Sequence, residues 1–279
     1  LKLLKFVNQI KNMIQDITQK TYKKLCFEVA DSHLSFCVVD MISNKIVTYK
    51  SYAINPKNVL EEELWKVFVE NPILEAQYDD VVVLHNSNLN TFVPSSLFDP
   101  NYLGSYLQYN TKVFETDFFT YDAIFPYEIN NVYVPFVNIN NFLLDQYQSF
   151  EYQNANSILV KQLLDLSINK EEKQVFVHLQ KEHFEIIIVK NQELILANSF
   201  HYNTPEDFIY YILFTCEQLQ LNPETVLVQI LGNCNEDDAY FKMAFKYIRN
   251  CRLITNTDKA LVLDVTPSDL RNHFILYHS

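Results

Sequence analysis

A stretch of this chain occurs twice. Gln174-Val175-Phe176-Val177-His178-Leu179 is followed by a polar turn and by Phe184-Glu185-Ile186-Ile187-Ile188-Val189. After a second turn comes Glu193-Leu194-Ile195-Leu196-Ala197-Asn198-Ser199-Phe200, and Thr204-Pro205-Glu206-Asp207 opens a helical run that ends near Gln220. Lys24–Glu70 repeats that order. A shift of about 150 residues puts Leu25 on Val175, His33 on His183, Leu34 on Phe184 and Val39 on Val189; with one residue of slip, Pro56 meets Pro205. Two copies of one supersecondary unit restrict the fold to two equivalent lobes.

Within each copy the expected order is strand–strand–strand–helix–strand–helix. In the first copy the strands are placed at 25–30, 34–40 and 45–54, with Asp31-Ser32-His33 and Ile42-Ser43-Asn44 as turns. A helix over 58–70 is expected to be capped by Asn58 and to end before Pro72. Val81–His85 is apolar throughout, as in a strand buried on both faces. Helical pieces are expected at 95–98, 100–108, 141–147 and 157–166, with a strand at 132–134. The second copy adds a helix at 205–220, a strand at 225–231 and a helix at 236–249 capped by Asn235. Short strands at 252–255 and 261–265 and a last helical segment at 269–277 close the chain. The first two strands of each copy should pair antiparallel and the later one in parallel, because a helix connects it. Residues 1–20 carry apolar residues at helical spacing with Lys2, Lys5 and Lys11 on one face. The expected division is an N-terminal helix or extension over 1–20, a first lobe over 21–170 and a second over 171–279.

Glycine content excludes several chemistries. The 279 residues hold two glycines, Gly104 and Gly232, where average usage of about 7% would give roughly twenty. No Walker A loop, G-x-G-x-x-G or nucleophile elbow is present. A net charge of -12 disfavours nucleic acid as a partner. No apolar run reaches the ~18 residues of a membrane span. Five cysteines, an odd number without a C-x-x-C pair, and no visible signal-peptide pattern lead to an expectation of reduced thiols in the cytoplasm.

Two such units side by side are the plan of the actin and sugar-kinase fold class. The runs Phe92-Val93-Pro94-Ser95-Ser96-Leu97-Phe98-Asp99 and Asn198-Ser199-Phe200-His201-Tyr202-Asn203-Thr204-Pro205-Glu206-Asp207-Phe208-Ile209-Tyr210-Tyr211 resemble an uncharacterised bacterial family, a domain of unknown function with an actin-like ATPase fold. The similarity covers most of the chain from about residue 21. The resemblance implies an α/β fold of two related lobes, each a mixed five-stranded sheet with helices packed on it. It also implies where a nucleotide would sit: in the cleft between the lobes, wrapped by the first hairpin turn of each. Those turns usually carry an acid and glycine, then Ser, Thr or Lys. Here they read Asp31-Ser32-His33 and Gln180-Lys181-Glu182-His183, and the adenosine-side loop reads Leu231-Gly232-Asn233. The turns lack glycine and the loop has one. Asp31, Ser32, His33, Lys181, Gly232 and Asn233 therefore outline a vestigial nucleotide cleft.

Other features have ordinary explanations. His33 and His183 occupy matching turns and can bind a metal across the cleft, although turn histidines are usually just exposed. Cys216 lies on a helix without a catalytic partner at a known spacing and reads as a buried thiol. Glu236-Asp237-Asp238 can hold Mg²⁺, but acids in a helix's first turn are favoured without any ligand. A Tyr- and Asn-rich stretch over 98–152, with Tyr102, Tyr106 and Tyr109, is the candidate partner surface. The expected function is non-catalytic: a scaffold for an unidentified protein partner, with no cofactor, catalytic group or metal. The alternative is a nucleotide-binding ATPase or kinase-like protein using Asp31, Ser32 and Lys181 at the phosphates of ATP with Mg.

Overall fold

The computed structural model describes residues 20–55, 57–114, 116–254 and 267–279. The amphipathic run at 1–19, Pro56 and the strand expected at 261–265 lie outside them.

Strand alternation sets the architecture. Along β1 (Lys23–Ala30), Leu25, Phe27 and Val29 face one way, while Cys26 and Glu28 face the other. β2 (His33–Asp40) and β3 (Lys45–Ala53) continue the sheet antiparallel. β4 (Asp80–Asn86) pairs in parallel with β1, and β8 (Glu151–Asn154) in parallel with β4, giving the order β3-β2-β1-β4-β8. The second lobe repeats it as β11-β10-β9-β12-β13, from β9 (Gln174–Leu179), β10 (His183–Lys190), β11 (Glu193–His201), β12 (Leu227–Gly232) and β13 (Asn250–Leu253). Even an irregularity is duplicated. The second and third strands shift register at Val38/Val39 in one lobe and at Ile188/Val189 in the other, 150 residues apart.

Each sheet packs helices on its outer face. In the first lobe these are α1 (Leu60–Glu70) and α3 (Val137–Gln146), which cover Leu25, Phe27 and Val29 with Leu64, Phe68 and Leu143. In the second they are α5 (Pro205–Gln218) and α6 (Ala239–Tyr247), over Val175, Val177 and Ile186. A third, central core lies between the sheets. There α4 (Ala155–Leu166) and α8 (Phe274–Tyr277) meet Cys26 and Leu84 from one sheet and Phe176 and Ile187 from the other. A short helix, α7 (Pro267–Asn272), precedes α8. A small antiparallel sheet of β5 (Asn90–Pro94), β7 (Ile129–Tyr133) and β6 (Thr120–Ile124), with α2 (Leu103–Leu107), is inserted between β4 and α3.

Several local expectations are corrected. The strand expected at 132–134 is present as β7, with its bounds moved to Ile129–Tyr133, and the fifth strand of the first sheet, β8, was not expected. Asn58 does not cap α1. The N-cap is Val59, without a side-chain bond, and the Asn58 amide donates to Glu63 at 2.7 Å. Asn235 does not cap α6 either. That position is Asp238, and the Asn235 Oδ1 instead accepts from Arg271 at 2.9 Å. Glu236-Asp237-Asp238 therefore precede the helix rather than form its first turn. The capping box of Thr204 and Asp207 is present, as expected.

Candidate functional site: the cleft between the lobes

On the inner faces, the apolar rows under α4 and α8 give way to polar residues at the carboxyl ends of the parallel strands, where open α/β sheets place ligands. Strand pairing aligns Glu28, Ser35 and Ser51 in one row, and His178, Glu185 and Ser199 in the matching row of the other lobe. The Ser35 hydroxyl donates to that of Ser51 at 2.8 Å. Glu28 and Glu185 are both buried. An isolated buried carboxylate is costly, and each has its own partners. Asn86, at the end of β4, donates to Glu28 at 2.7 Å, and the His33 ring lies 3.7 Å from the same oxygen. His178 Nδ1–H donates to Glu185 at 2.9 Å, and His183 Nε2 lies 3.0 Å from its other oxygen.

The two carboxylate systems are joined across the cleft by a reciprocal amide pair. Asn86 Nδ2 donates to Gln180 Oε1 at 3.0 Å, and Gln180 Nε2 donates back to Asn86 Oδ1 at 3.1 Å. Gln180 also donates to Glu185, at 3.2 Å. One continuous hydrogen-bonded chain thus runs from Glu28 through Asn86 and Gln180 to Glu185 and His178. Burial works against ionisation of Glu28 and Glu185, but the histidines and amides outweigh it and hold both carboxyls below their usual values. Burial likewise opposes charge on His33 and His183; the facing glutamates overcome it and raise both. Desolvation and then the charge of the facing Glu182 raise Asp31, which is exposed at its turn.

Of the residues singled out in the sequence, Ser32, His33, Lys181 and Asn233 line one cavity of about 350 Å³ together with Glu28 and His273. Asp31 lies beside it, in a narrow gap of about 60 Å³ shared with Glu182. His33 and His183 do not face each other as a pair; each contacts a glutamate of its own lobe. Gly232 serves the backbone. With φ at +87°, it lets Asn233 N–H donate to Leu179 O at 2.8 Å, and a Cβ there would stand 2.2 Å from that oxygen. Tyr102 and Tyr109 are exposed, on the inserted segment. Tyr106 is half-buried: its ring stacks on Phe98, and its hydroxyl accepts from Asp99 N–H and donates to Leu97 O. Cys216 is buried, and burial pushes its thiol up to about 11.

Glu28, Asn86, Gln180 and Glu185 were not among the sequence candidates. Glu185 sits in a run of isoleucines, and a charged residue inside an otherwise apolar strand was the available signal.

Tested against a Mg–nucleotide, this donor set does not fit. Triphosphate oxygens need N–H groups and cations. Glu28 lines the cavity and Asp31 and Glu182 the gap beside it, with Lys181 as the lysine among the lining residues. The Gln180 amide is already engaged. Among the described residues, no three His, Cys, Asp or Glu side chains are grouped to hold a metal ion.

Residues 12–251 match the family model described as "Protein of unknown function (DUF3822)". The chain belongs to this family. Among solved structures, a Bacteroides thetaiotaomicron protein with an actin-like ATPase fold and unknown function superposes with a TM-score of 0.79 at 21% identity, covering 90% of this chain and 99% of that one. A chain of the PilM–PilN type IV pilus biogenesis complex matches with a TM-score of 0.54 at 11% identity, over 91% and 97%. EutJ, an ethanolamine utilization protein of Carboxydothermus hydrogenoformans, gives 0.50 at 7%, over 92% and 90%. No curated protein matches the chain. This DUF3822 member therefore has the actin-like ATPase fold, with two mixed five-stranded sheets and an added small one. No helix among its described residues is long and apolar enough to cross a membrane.

Proposed function

We propose that this DUF3822 protein is a non-catalytic member of the actin-like fold that acts as a protein-binding scaffold. The observation that carries the reading is the Asn86–Gln180 amide pair, which joins the lobes between the two hairpin turns where this fold class holds phosphate. A triphosphate entering there would have to break that pair and sit among Glu28, Glu185 and Glu182. Fixing the lobes by side chains leaves a rigid two-lobed body that needs no nucleotide. The PilM–PilN complex shows that a chain of this fold can engage a protein partner. On this reading the inserted segment supplies the contact, because it exposes Tyr102, Tyr109, Leu97 and Phe114 together with a polar edge.

Thermal melting with and without millimolar Mg-ATP tests the closed site. No shift is expected, whereas a ligand at a hundred times its dissociation constant would stabilise the fold by about 2.7 kcal/mol. A saturable shift abolished by Asp31→Ala would establish the alternative, an active nucleotide site using Asp31, Ser32 and Lys181. The partner surface is tested by affinity capture from the native host. Tyr102→Ser with Tyr109→Ser should lose a partner that the unmodified chain retains; equal recovery removes this surface.

A further inference from the structure

The cavity of about 350 Å³ beside the amide pair carries opposite charges that the protein leaves unmatched. Glu28 forms part of its wall, with a side chain only 8% exposed. Both partners of that carboxylate meet the same oxygen. Asn86 Nδ2 donates to Oε1 at 2.7 Å, and His33 Nε2 lies 3.7 Å from Oε1. Among the described residues no donor meets Oε2. Buried polar groups are normally satisfied, and a buried anion left short of donors is costly. The free oxygen of Glu28 therefore marks a place where a ligand donates.

His178 adds a second acceptor to the same wall. Its Nδ1–H is committed to Glu185, so the neutral ring presents an Nε2 lone pair, which no described residue meets. Positive charge stands at the rim. Lys181 reaches the cavity from the second hairpin turn, is exposed, and forms no ion pair with a described residue. Acceptors at the wall, one of them an anion, call for a compact cation with several N–H donors; a primary ammonium carries three. The lysine at the rim calls for an anion. One small molecule bearing both charges answers both requirements and is neutral as a whole. Such a ligand sits beside the Asn86–Gln180 pair and leaves it intact, which a triphosphate between the turns would not.

We propose that this cavity binds a free amino acid, whose ammonium donates to Glu28 Oε2 and His178 Nε2 and whose carboxylate accepts from Lys181 at the rim. The inference does not rest on the scaffold reading, since ligand binding and capture of a protein partner are separate readouts.

The test is a titration of the full chain, by calorimetry and by melting temperature, with the standard amino acids one at a time. At least one should bind saturably with 1:1 stoichiometry. Its N-acetyl and carboxamide derivatives should each bind at least about tenfold more weakly, because each lacks one of the two charges. Glu28→Gln keeps an acceptor for Asn86 but removes the anion, and should weaken binding at least about tenfold. Lys181→Met, at an exposed turn position, should weaken it about threefold and leave the melting temperature of the free protein unchanged. Should Glu28→Gln fail to fold by circular dichroism, Lys181→Met and the two derivatives still decide the matter. If no amino acid binds, or Lys181→Met binds as well as the parent chain, the assignment is wrong. Equal binding of the carboxamide would also overturn it, in favour of a peptide amino terminus.

Discussion

Gly232 and Glu185 show how single positions constrain this molecule. At Gly232 a side chain meets two obstacles: the left-handed backbone, at about 1–2 kcal/mol, and the Leu179 carbonyl at 2.2 Å from an added Cβ. Gly232→Ala should therefore destabilise the second lobe by at least about 2 kcal/mol in urea denaturation. A smaller loss would mean that the end of β12 shifts freely. Glu185 ties stability to pH. Its carboxyl is held low, so its contribution is present above the ordinary value of 4.5 and is lost as pH falls through the depressed value. His183, and His33 beside Glu28, are raised. Their contribution is complete below the ordinary 6.5 and disappears as pH rises through the folded values. Both contributions coexist between 4.5 and 6.5. The melting-temperature gap between the parent chain and Glu185→Gln should be widest there and should narrow above pH 6.5. A gap that stays constant into the alkaline range would show that the histidines are neutral throughout. At this scale the sequence identified the turn residues Ser32, His33 and Lys181, because turns are punctuated by polar residues. It did not identify Glu28 and Asn86, because their role comes from partners brought in from other strands.

At the scale of elements, the end of β4 and the end of β9 are coupled by two amides. Asn86→Ala or Gln180→Ala leaves a buried amide and a carboxylate short of a donor, so each should cost about 1–3 kcal/mol. If the pair acts as a unit, the double variant should fall short of the sum by at least about 0.5 kcal/mol. Additive losses in the cycle would show that the two side chains act separately. The main strands and outer helices were legible because their apolar periodicity survives in sequence: three strands per lobe, the helices at 60–70 and 205–218, and β4 and β12. The strands β5, β6 and β8 were not. β8 reads Glu-Tyr-Gln-Asn, and the central strand of the inserted sheet buries Asn130 and Asn131, residues with poor strand propensity. Tertiary partners supply what propensity lacks there. Asn131 donates to Asn154 and Ser157, while Asp122 accepts from Ser157 at 2.6 Å and from Asn154 N–H at 2.8 Å. Burial pushes that aspartate up to about 6.

In the whole molecule the duplication produces a shared interior rather than two separate ones. α4 follows the first sheet in the chain yet packs on β10 and β11, and α8 follows the second sheet yet packs on β1 and β2. Each lobe therefore lends a helix to its neighbour, and the central core holds residues from both sheets. A protein whose lobes are fixed this way should unfold as one unit, in contrast to one whose lobes open about a hinge. Leu163 of α4 is fully buried in this core. Leu163→Ala should cost about 2–5 kcal/mol and should lower hydrogen-exchange protection equally in β1 and β9. Phe208→Ala, in the outer core of the second lobe, separates the models. If the lobes are coupled, β1 loses protection together with β9 although Phe208 packs in the other lobe. Loss confined to β9 and β10 would show that the lobes open independently, and the amide pair across the cleft would then be a contact between two mobile bodies rather than a fixed joint.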